Sequence, residues 1–567
     1  MFFIALATDY DGTIAEFGIV AEETIEAMRQ FKRTGRKLIL VTGRELEDLK
    51  KVFTELSIFD RVVAENGAVI YDPANEEIHA IAPAPPPQFV EALRANNVTP
   101  LSVGHSIVAT WEPNEGVVLN TIRDMGLELQ IIFNKGAVMV LPAGVNKASG
   151  LAAALAELEL SPHNIVAVGD AENDHAFLRA CGCAVAVANA LPMLKETADF
   201  VTQGERGAGV VELMSLLAAK DAAIVPLARH GIAIGVTGKG ANVCLTPTDS
   251  VLIAGKSGIG KSTIATALTE RMVEKGQQFC VLDPEGDYLD LDGAVCVGNA
   301  KTAPTENEVF ELLRRPDVNV VVCALAVAAA DRPAFFAKLL GKIGALRLKS
   351  GRPHWLIVDE AHHVLPSEHG GLEQTSPSDL PATVLITVHP ESVQIQALKT
   401  LEAVVALGDG AEQVIAACCA ALGIATPPVT KPKDDEVLFW RCDEAARPQA
   451  IKPIKPRQAR KRHSRKYAEG ELGPDRSFYF KGPKGALNLR AQNLMLFVQI
   501  GAGVDDATWD HHLRAGDYSQ WMRTVIKNDE LADEVATVER NGAIAAHESR
   551  KRVSEAILSR YTTPAQP

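Results

Sequence analysis

Short apolar, β-branched runs, each stopped abruptly by a carboxylate, a hydroxyl or a glycine and each followed by a helical pattern, recur along residues 2–202 and again along about 250–440. Strands covered by helices on both faces read as continuous apolar segments, so this alternation predicts two doubly wound parallel sheets, an α/β architecture. At 567 residues the chain exceeds what one hydrophobic core organises. The pattern divides it into a first α/β unit at 1–221 with an insertion at about 85–142, and a second α/β unit at 222–450 opened by Gly-dotted hairpins. A Pro-punctuated basic linker follows at 451–470, and then a mostly helical unit at 471–567, where 487–500 and 530–540 suit helices.

The longest apolar run, 320–330, lies between Asn319 and Asp331 and is far short of the roughly 20 residues a membrane span needs. It reads as a buried strand, with no membrane partner expected. The first residues carry no basic leader and run into Asp9 and Asp11, which points to the cytoplasm. The cysteines show no paired spacing of zinc ligands and read as small buried hydrophobes. A net charge of −14 argues against a surface devoted to nucleic acid. Yet Lys452, Lys455, Arg457, Arg460, Lys461, Arg462, Arg465 and Lys466 crowd into 452–466, where contact with nucleic-acid phosphates is conceivable beside the plainer reading of a solvated linker.

In the first unit, the strand at 2–8 delivers Asp9-Tyr-Asp11-Gly-Thr, whose two carboxylates, two residues apart, project to the same side. One can attack while the other handles the proton. The run 37–41 delivers Thr42-Gly-Arg44, and 165–168 delivers Gly169-Asp170-Ala-Glu-Asn173-Asp174. Ligands of open parallel sheets bind beyond the carboxyl ends of the strands, so these residues gather at one edge. Carboxylates that close repel one another unless a divalent cation sits among them, and hard oxygen donors favour Mg²⁺. Lys147, just after the N-cap Asn146, opposes the helix dipole; a broken local rule of this kind marks a functional position, here a group that holds a phosphate oxygen.

These four strings, in this order, resemble the four motifs of the haloacid dehalogenase superfamily over about residues 1–202. Glu65-Asn66-Gly67 and the stretch from Asn189-Ala190 to Ala198-Asp199 further resemble its Cof-type and sucrose-phosphatase-like branch. The resemblance implies Asp9 as nucleophile and metal ligand, Asp11 as general acid/base and metal ligand, Thr42 and Lys147 as phosphate-holding groups, Asp170 and Asp174 as metal ligands, and Asn173 in support. A carboxylate at position 11 favours phosphatases over dehalogenases. The insertion reads helix (87–96), strand (101–111), helix (114–125), then a hairpin turning at 134–136, and resembles a compact cap of the second type, which implies a small phosphorylated substrate.

In the second unit, the strand at 251–254 is followed by Gly255-Lys-Ser-Gly258-Ile-Gly260-Lys261-Ser262-Thr263 and a helical run, the G-x-x-x-x-G-K-[ST] pattern in its confirming context. Its backbone N–H groups cradle phosphates, Lys261 reaches the β and γ oxygens of ATP, and Ser262 ligates Mg²⁺. Asp359-Glu360 closes the apolar run 355–358; Asp359 suits Mg²⁺ through water and Glu360 suits activation of an attacking water. His389, at the tip of the run 382–386, stands where such ATPases sense the γ-phosphate. With Asp283-Pro-Glu-Gly-Asp287-Tyr288, these strings resemble the HerA/FtsK branch of P-loop ATPases over about 228–410. That resemblance implies a homo-oligomeric ring, usually hexameric, with an arginine supplied between subunits, for which Arg347 and Arg352 are the nearby candidates. The long DNA-channel segments of true translocases are not found.

The combined reading is a bifunctional enzyme, a Mg²⁺-dependent phosphomonoesterase joined to a ring-forming ATPase. Alternatives are a nucleic-acid end-processing or defence enzyme, a polynucleotide kinase-phosphatase, and a nucleotide sensor that gates the phosphatase.

Overall fold

The computed structural model describes all residues except 135, 257–258, 368–381, 434, 443–446, 458–466, 468–471, 475, 527, 543 and 562–567, together with the side chains of 222, 223 and 484. Two large sheets dominate, as the apolar runs require. The first has eight strands in the order Phe200–Val201, Cys183–Ala186, Ile165–Gly169, Ala5–Thr8, Lys37–Val41, Arg61–Ala64, Val69–Asp72 and Glu77–Ala80. The first six are parallel and the last two antiparallel. Its central strands are buried at every position but Lys37, which is why they carry mostly apolar sequence.

The insertion forms a separate four-stranded antiparallel sheet, Leu129–Asn134, Ala137–Pro142, Val108–Trp111 and Ser102–Val103, packed on the helices Pro87–Ala95 and Glu115–Asp124 with its own apolar core. Here the structure corrects one detail. The single strand expected at 101–111 is two short strands, because Gly104 N turns back to Ile107 O at 2.9 Å.

The second sheet has eleven strands. Seven are parallel, running from Ala403–Ala406 through Val251–Ala254, Thr383–Thr387, Trp355–Val358, Phe279–Asp283 and Asn319–Cys323 to Ala294–Val297. Four antiparallel strands extend it, including the expected hairpin Ile232–Thr237 and Asn242–Leu245. The run expected as one strand at 320–330 is a strand only over Asn319–Cys323. The sheet also reaches past the expected boundary at 450: Gln449–Pro453 pairs with both Ile232–Thr237 and Val437–Arg441. Of the basic segment, Lys452 Nζ lies 2.9 Å from Asp435 and Arg457 Nη1 lies 2.9 Å from Glu274. Positions 458–466 lie outside the described residues.

Beyond the sheets, a hairpin of Phe478–Phe480 and Leu489–Ala491 packs with the helices Leu494–Gly503, Asp506–Ala515, Asp517–Thr524, Asp529–Glu539 and Ala546–Tyr561 around Trp509, Tyr518 and Trp521. Among the described residues no helix is long and apolar enough to cross a membrane.

The two α/β halves meet at the amino-terminal ends of their strands. Asn164, fully buried, donates to Phe2 O at 2.8 Å, and its backbone carbonyl accepts from Ile4 N at 2.8 Å. Arg352, also fully buried, donates to Glu159 O in the first half and to Gln278 Oε1, Leu313 O and Arg314 O in the second. Both reaction edges therefore lie at the far ends of strands rooted in this seam.

Candidate active site

At the carboxyl end of the central strand Ala5–Thr8, Asp9 is held in a polar knot from which solvent is nearly excluded. Lys147, 1% exposed, donates from Nζ to Asp9 Oδ1 at 2.5 Å and to Asp174 Oδ1 at 2.6 Å. The other oxygen of Asp174 accepts from Asp170 N at 2.8 Å and Ala171 N at 2.9 Å, folding the 169–174 turn toward Asp9. Thr13 Oγ1 lies 3.3 Å from both Asp9 Oδ2 and Asp170 Oδ1. Asn146 caps the helix Lys147–Glu157 by accepting from Ala148 N and Ser149 N, which fixes where Lys147 emerges.

Carboxylate oxygens of Asp9, Asp170 and Asp174 all lie within 4.8 Å of one another. Burial, then the charge of Asp174, push the Asp9 carboxyl up to about 7 against the pull of Lys147. Burial pushes Lys147 down, but Asp174 and Asp9 outweigh it and leave the ammonium favoured. Three buried carboxylates facing one lysine remain short of positive charge, and an all-oxygen donor set of this size suits a hard divalent cation.

Asp11 lies outside the group of three carboxylates whose oxygens converge. Its carboxylate is gripped in bidentate fashion by Arg44, Nε to Oδ2 at 2.6 Å and Nη2 to Oδ1 at 2.8 Å, in a planar fork. Arg44 is in turn anchored on Asp48 at 2.7 Å and stacked over Tyr10. Thr42, 1% exposed, ends the strand Lys37–Val41, and its Oγ1 accepts from Arg44 N at 3.1 Å. The cap closes from above: a Cβ placed on Gly43 would lie 3.5 Å from Met139 Sδ of the cap and 3.6 Å from Asn173 Nδ2.

In the second half, Lys261 opens the helix Lys261–Glu274 just after Gly260, whose φ of 106° favours glycine. Its Nζ donates at 2.8 Å to both Gly255 O and Lys256 O, so the loop curls about its own lysine. Ser262 is partly buried and Thr263 exposed on the same first turn, while Gly258 lies outside the described residues. Asp359, 3% exposed at the end of Trp355–Val358, is pushed well above the usual carboxylate range by burial and then by Glu360, Asp287, Asp283 and Glu285. Glu360 adopts a left-handed φ of 43°. His389 is mostly exposed and turned toward Glu391 at 3.0 Å. The polar side chains nearer Glu360 were not singled out from sequence: His362 Nδ1 lies 3.6 Å from Glu360 Oε2 and 3.0 Å from Thr387 Oγ1. Arg347 and Arg352 are both buried and held by hydrogen bonds within this chain, Arg347 to Pro353 O at 2.8 Å and Arg352 to Gln278 Oε1 and backbone carbonyls.

The fold and the carboxylate–lysine centre define an α/β phosphohydrolase joined to a P-loop domain. A family profile described as haloacid dehalogenase-like hydrolase matches residues 6–117 and 124–214, and one described as helicase HerA, central domain, matches residues 232–330. Phosphoglycolate phosphatase of Methanothermobacter thermautotrophicus is 31% identical over 217 residues, which are 37% of this chain and 96% of that protein. Phosphoglycolate phosphatase 2 of Saccharolobus solfataricus is 31% identical over 221 residues, 37% of this chain and 91% of that protein. The chain belongs to the haloacid dehalogenase-like hydrolases through its N-terminal region, with a HerA-like domain fused behind it. A solved haloacid dehalogenase-like hydrolase from Bacteroides thetaiotaomicron aligns with a TM-score of 0.34 at 18% identity, covering 38% of this chain and 99% of that one.

Proposed function

We propose that the first half is a Mg²⁺-dependent phosphomonoesterase for a small phosphorylated carboxylic acid of the phosphoglycolate kind, and that the second half hydrolyses ATP, with assembly into a homo-oligomeric ring. The observation that carries the phosphatase reading is Lys147 clamped between Asp9 and Asp174 with Asp170 alongside. Asp9, Asp170 and Asp174 would hold the cation, which when bound supplies charge neutralisation for the transferring phosphoryl group.

The chemistry then falls to the chain's own residues. An oxygen of Asp9 attacks phosphorus, the ester P–O bond breaks, and Asp11 delivers a proton to the departing alkoxide; Asp11 next takes a proton from water, which attacks the aspartyl-phosphate and restores Asp9 as inorganic phosphate leaves. Lys147 and Thr42 hold phosphoryl oxygens, and Arg44 fixes the position of the Asp11 carboxylate. In the ATPase half, Lys261 would contact the β and γ phosphates, Ser262 and Asp359 would hold Mg²⁺, and Glu360 would activate the attacking water. The identity of two relatives as phosphoglycolate phosphatases favours that substrate class. Nucleic acid remains the second reading for the basic segment, supported by its charge alone.

The test is a screen of the full chain against small phosphoesters, including 2-phosphoglycolate, and against 3′- and 5′-phosphorylated oligonucleotides, with and without ATP. Turnover confined to oligonucleotide ends would replace the metabolite reading with the end-processing one.

A further inference from the structure

Residues 65–67 follow the strand Arg61–Ala64 with three positive φ angles in succession, Glu65 at 52°, Asn66 at 52° and Gly67 at 105°. Two non-glycine residues in this region persist only where the surroundings over-determine them. The surroundings here are the phosphatase site itself. Glu65 N donates to Arg44 O at 2.8 Å and Asn66 N to Thr42 O at 3.0 Å, so the loop is laced to the strand tip that carries both residues. Asn66 Oδ1 accepts from Asn173 Nδ2 at 3.0 Å. Gly67 lies against the N-cap of the Lys147 helix so tightly that a Cβ would sit 2.0 Å from Asn146 O.

The remaining group of the loop, the Glu65 carboxylate, points the other way. It is fully buried and accepts from three consecutive cap amides, His105 N at 2.9 Å, Ser106 N at 2.7 Å and Ile107 N at 3.2 Å, with His105 Nδ1 3.1 Å away. Gly104 is what lets the cap come so near, since a Cβ there would fall 2.7 Å from Glu65 Oε1. Lifting the cap would strip a buried negative charge of these hydrogen bonds, which is costly without replacement by water.

We propose that the 65–67 loop is a clasp that registers the cap on the core, with Glu65 as a positioning residue for the phosphatase reaction. Its carboxylate sets the seat of cap loop 104–107, while its backbone transmits that seat to Thr42, Arg44, Asn173 and the start of the Lys147 helix. This rests on the phosphatase reading above. A displacement of the cap by about 1 Å is enough to cost roughly a hundredfold in a reaction that depends on alignment.

The experiment compares full-length Glu65→Gln, Glu65→Ala and Gly104→Ala with the unaltered chain, measuring kcat and KM on 2-phosphoglycolate and on p-nitrophenyl phosphate, and amide exchange across 102–109. Glu65→Ala is expected to speed exchange at 105–107 and to lower kcat roughly a hundredfold on 2-phosphoglycolate, with a smaller loss on the aryl ester, whose better leaving group leans less on alignment. Gly104→Ala should reproduce both effects with Glu65 intact, and Glu65→Gln, which keeps one acceptor oxygen, should recover part of the rate. Unchanged exchange at 105–107 in Glu65→Ala, or kcat within twofold in both Glu65→Ala and Gly104→Ala, overturns the clasp; if Glu65→Ala does not fold, the other two variants decide. Should the unaltered chain turn over neither ester, the phosphatase reading fails, while the exchange data still decide whether Glu65 seats the cap.

Discussion

Asn164 Oδ1 lies 3.0 Å from His354 Nε2 across the seam between the two halves. His354 Nδ1 accepts from Gln278 N at 2.8 Å, so the proton of this neutral ring sits on Nε2 and is donated to Asn164. His163 packs edge-on against both His354 and His230, and His230 Nε2 donates to Gly182 O at 2.7 Å. Burial holds all three rings below their ordinary 6.5: His230 at about 4, His354 well below, and His163 lowered as well.

Because these folded-state values are depressed, the unfolded chain binds more protons than the folded one between about 6.5 and 4. The stabilising contribution is complete above pH 6.5 and is lost as pH falls toward 4, with His230 alone accounting for about 3 kcal/mol. Melting temperature followed from pH 7 to pH 4.5 should fall, and His230→Gln should flatten the slope. Equal slopes in both proteins would remove His230 from the effect.

Asp9→Asn should lower phosphatase turnover at least about a thousandfold, since the attacking oxygen becomes part of an amide. ATP hydrolysis should stay within twofold, because Asp9 belongs to the first sheet alone. Phosphate release from a phosphoester and from ATP, measured on the same preparation, checks both halves of the statement.

Chelation with EDTA should abolish phosphatase activity, and Mg²⁺ should restore it. Mg²⁺ should also raise the melting temperature of the first unit, with a gain of about 2.7 kcal/mol at a hundred times its Kd. Asp170→Asn, which removes one carboxylate of the group whose oxygens lie within 4.8 Å of one another, should blunt that rise. A Mg²⁺ response undiminished in this variant would place the ion elsewhere.

Lys261→Ala removes the ammonium that Gly255 O and Lys256 O now hold at 2.8 Å. ATP hydrolysis should drop roughly a hundredfold or more, and Glu360→Gln should keep ATP binding while losing hydrolysis. Nucleotide binding by fluorescence and steady-state phosphate release separate the two; hydrolysis surviving in both variants would remove the P-loop as the site.

Much of the fold is legible in the sequence. Asp9, Thr42 and Asp170 follow buried strands, and the order of those strands in space follows from parallel pairing, so the convergence of their tips was written in the alternation of apolar runs. Lys147 was legible from its misplaced charge at a helix start. Less legible was anything that depends on one side chain answering another from a distant element. Arg44 was quoted in its motif, but its grip on Asp11 is a rotamer choice. Glu65 could be noticed as a string and not as a hook, because its partners come from the insertion. Arg347 and Arg352 show the same limit: an arginine's place in the sequence says nothing of whether its fork faces outward or donates to carbonyls inside.

The seam itself has a chemical corollary. The strands Ala5–Thr8 and Ile165–Gly169 run from Phe2 and Asn164 out to Asp9 and Asp170, and Phe279–Asp283 and Trp355–Val358 run from Gln278 and His354 out to Asp283 and Asp359. Each of the two carboxylate-bearing edges thus sits a strand's length, roughly 15 Å, from the shared boundary. Within a single chain the two acidic edges are joined through these strands and the buried hydrogen bonds of the seam.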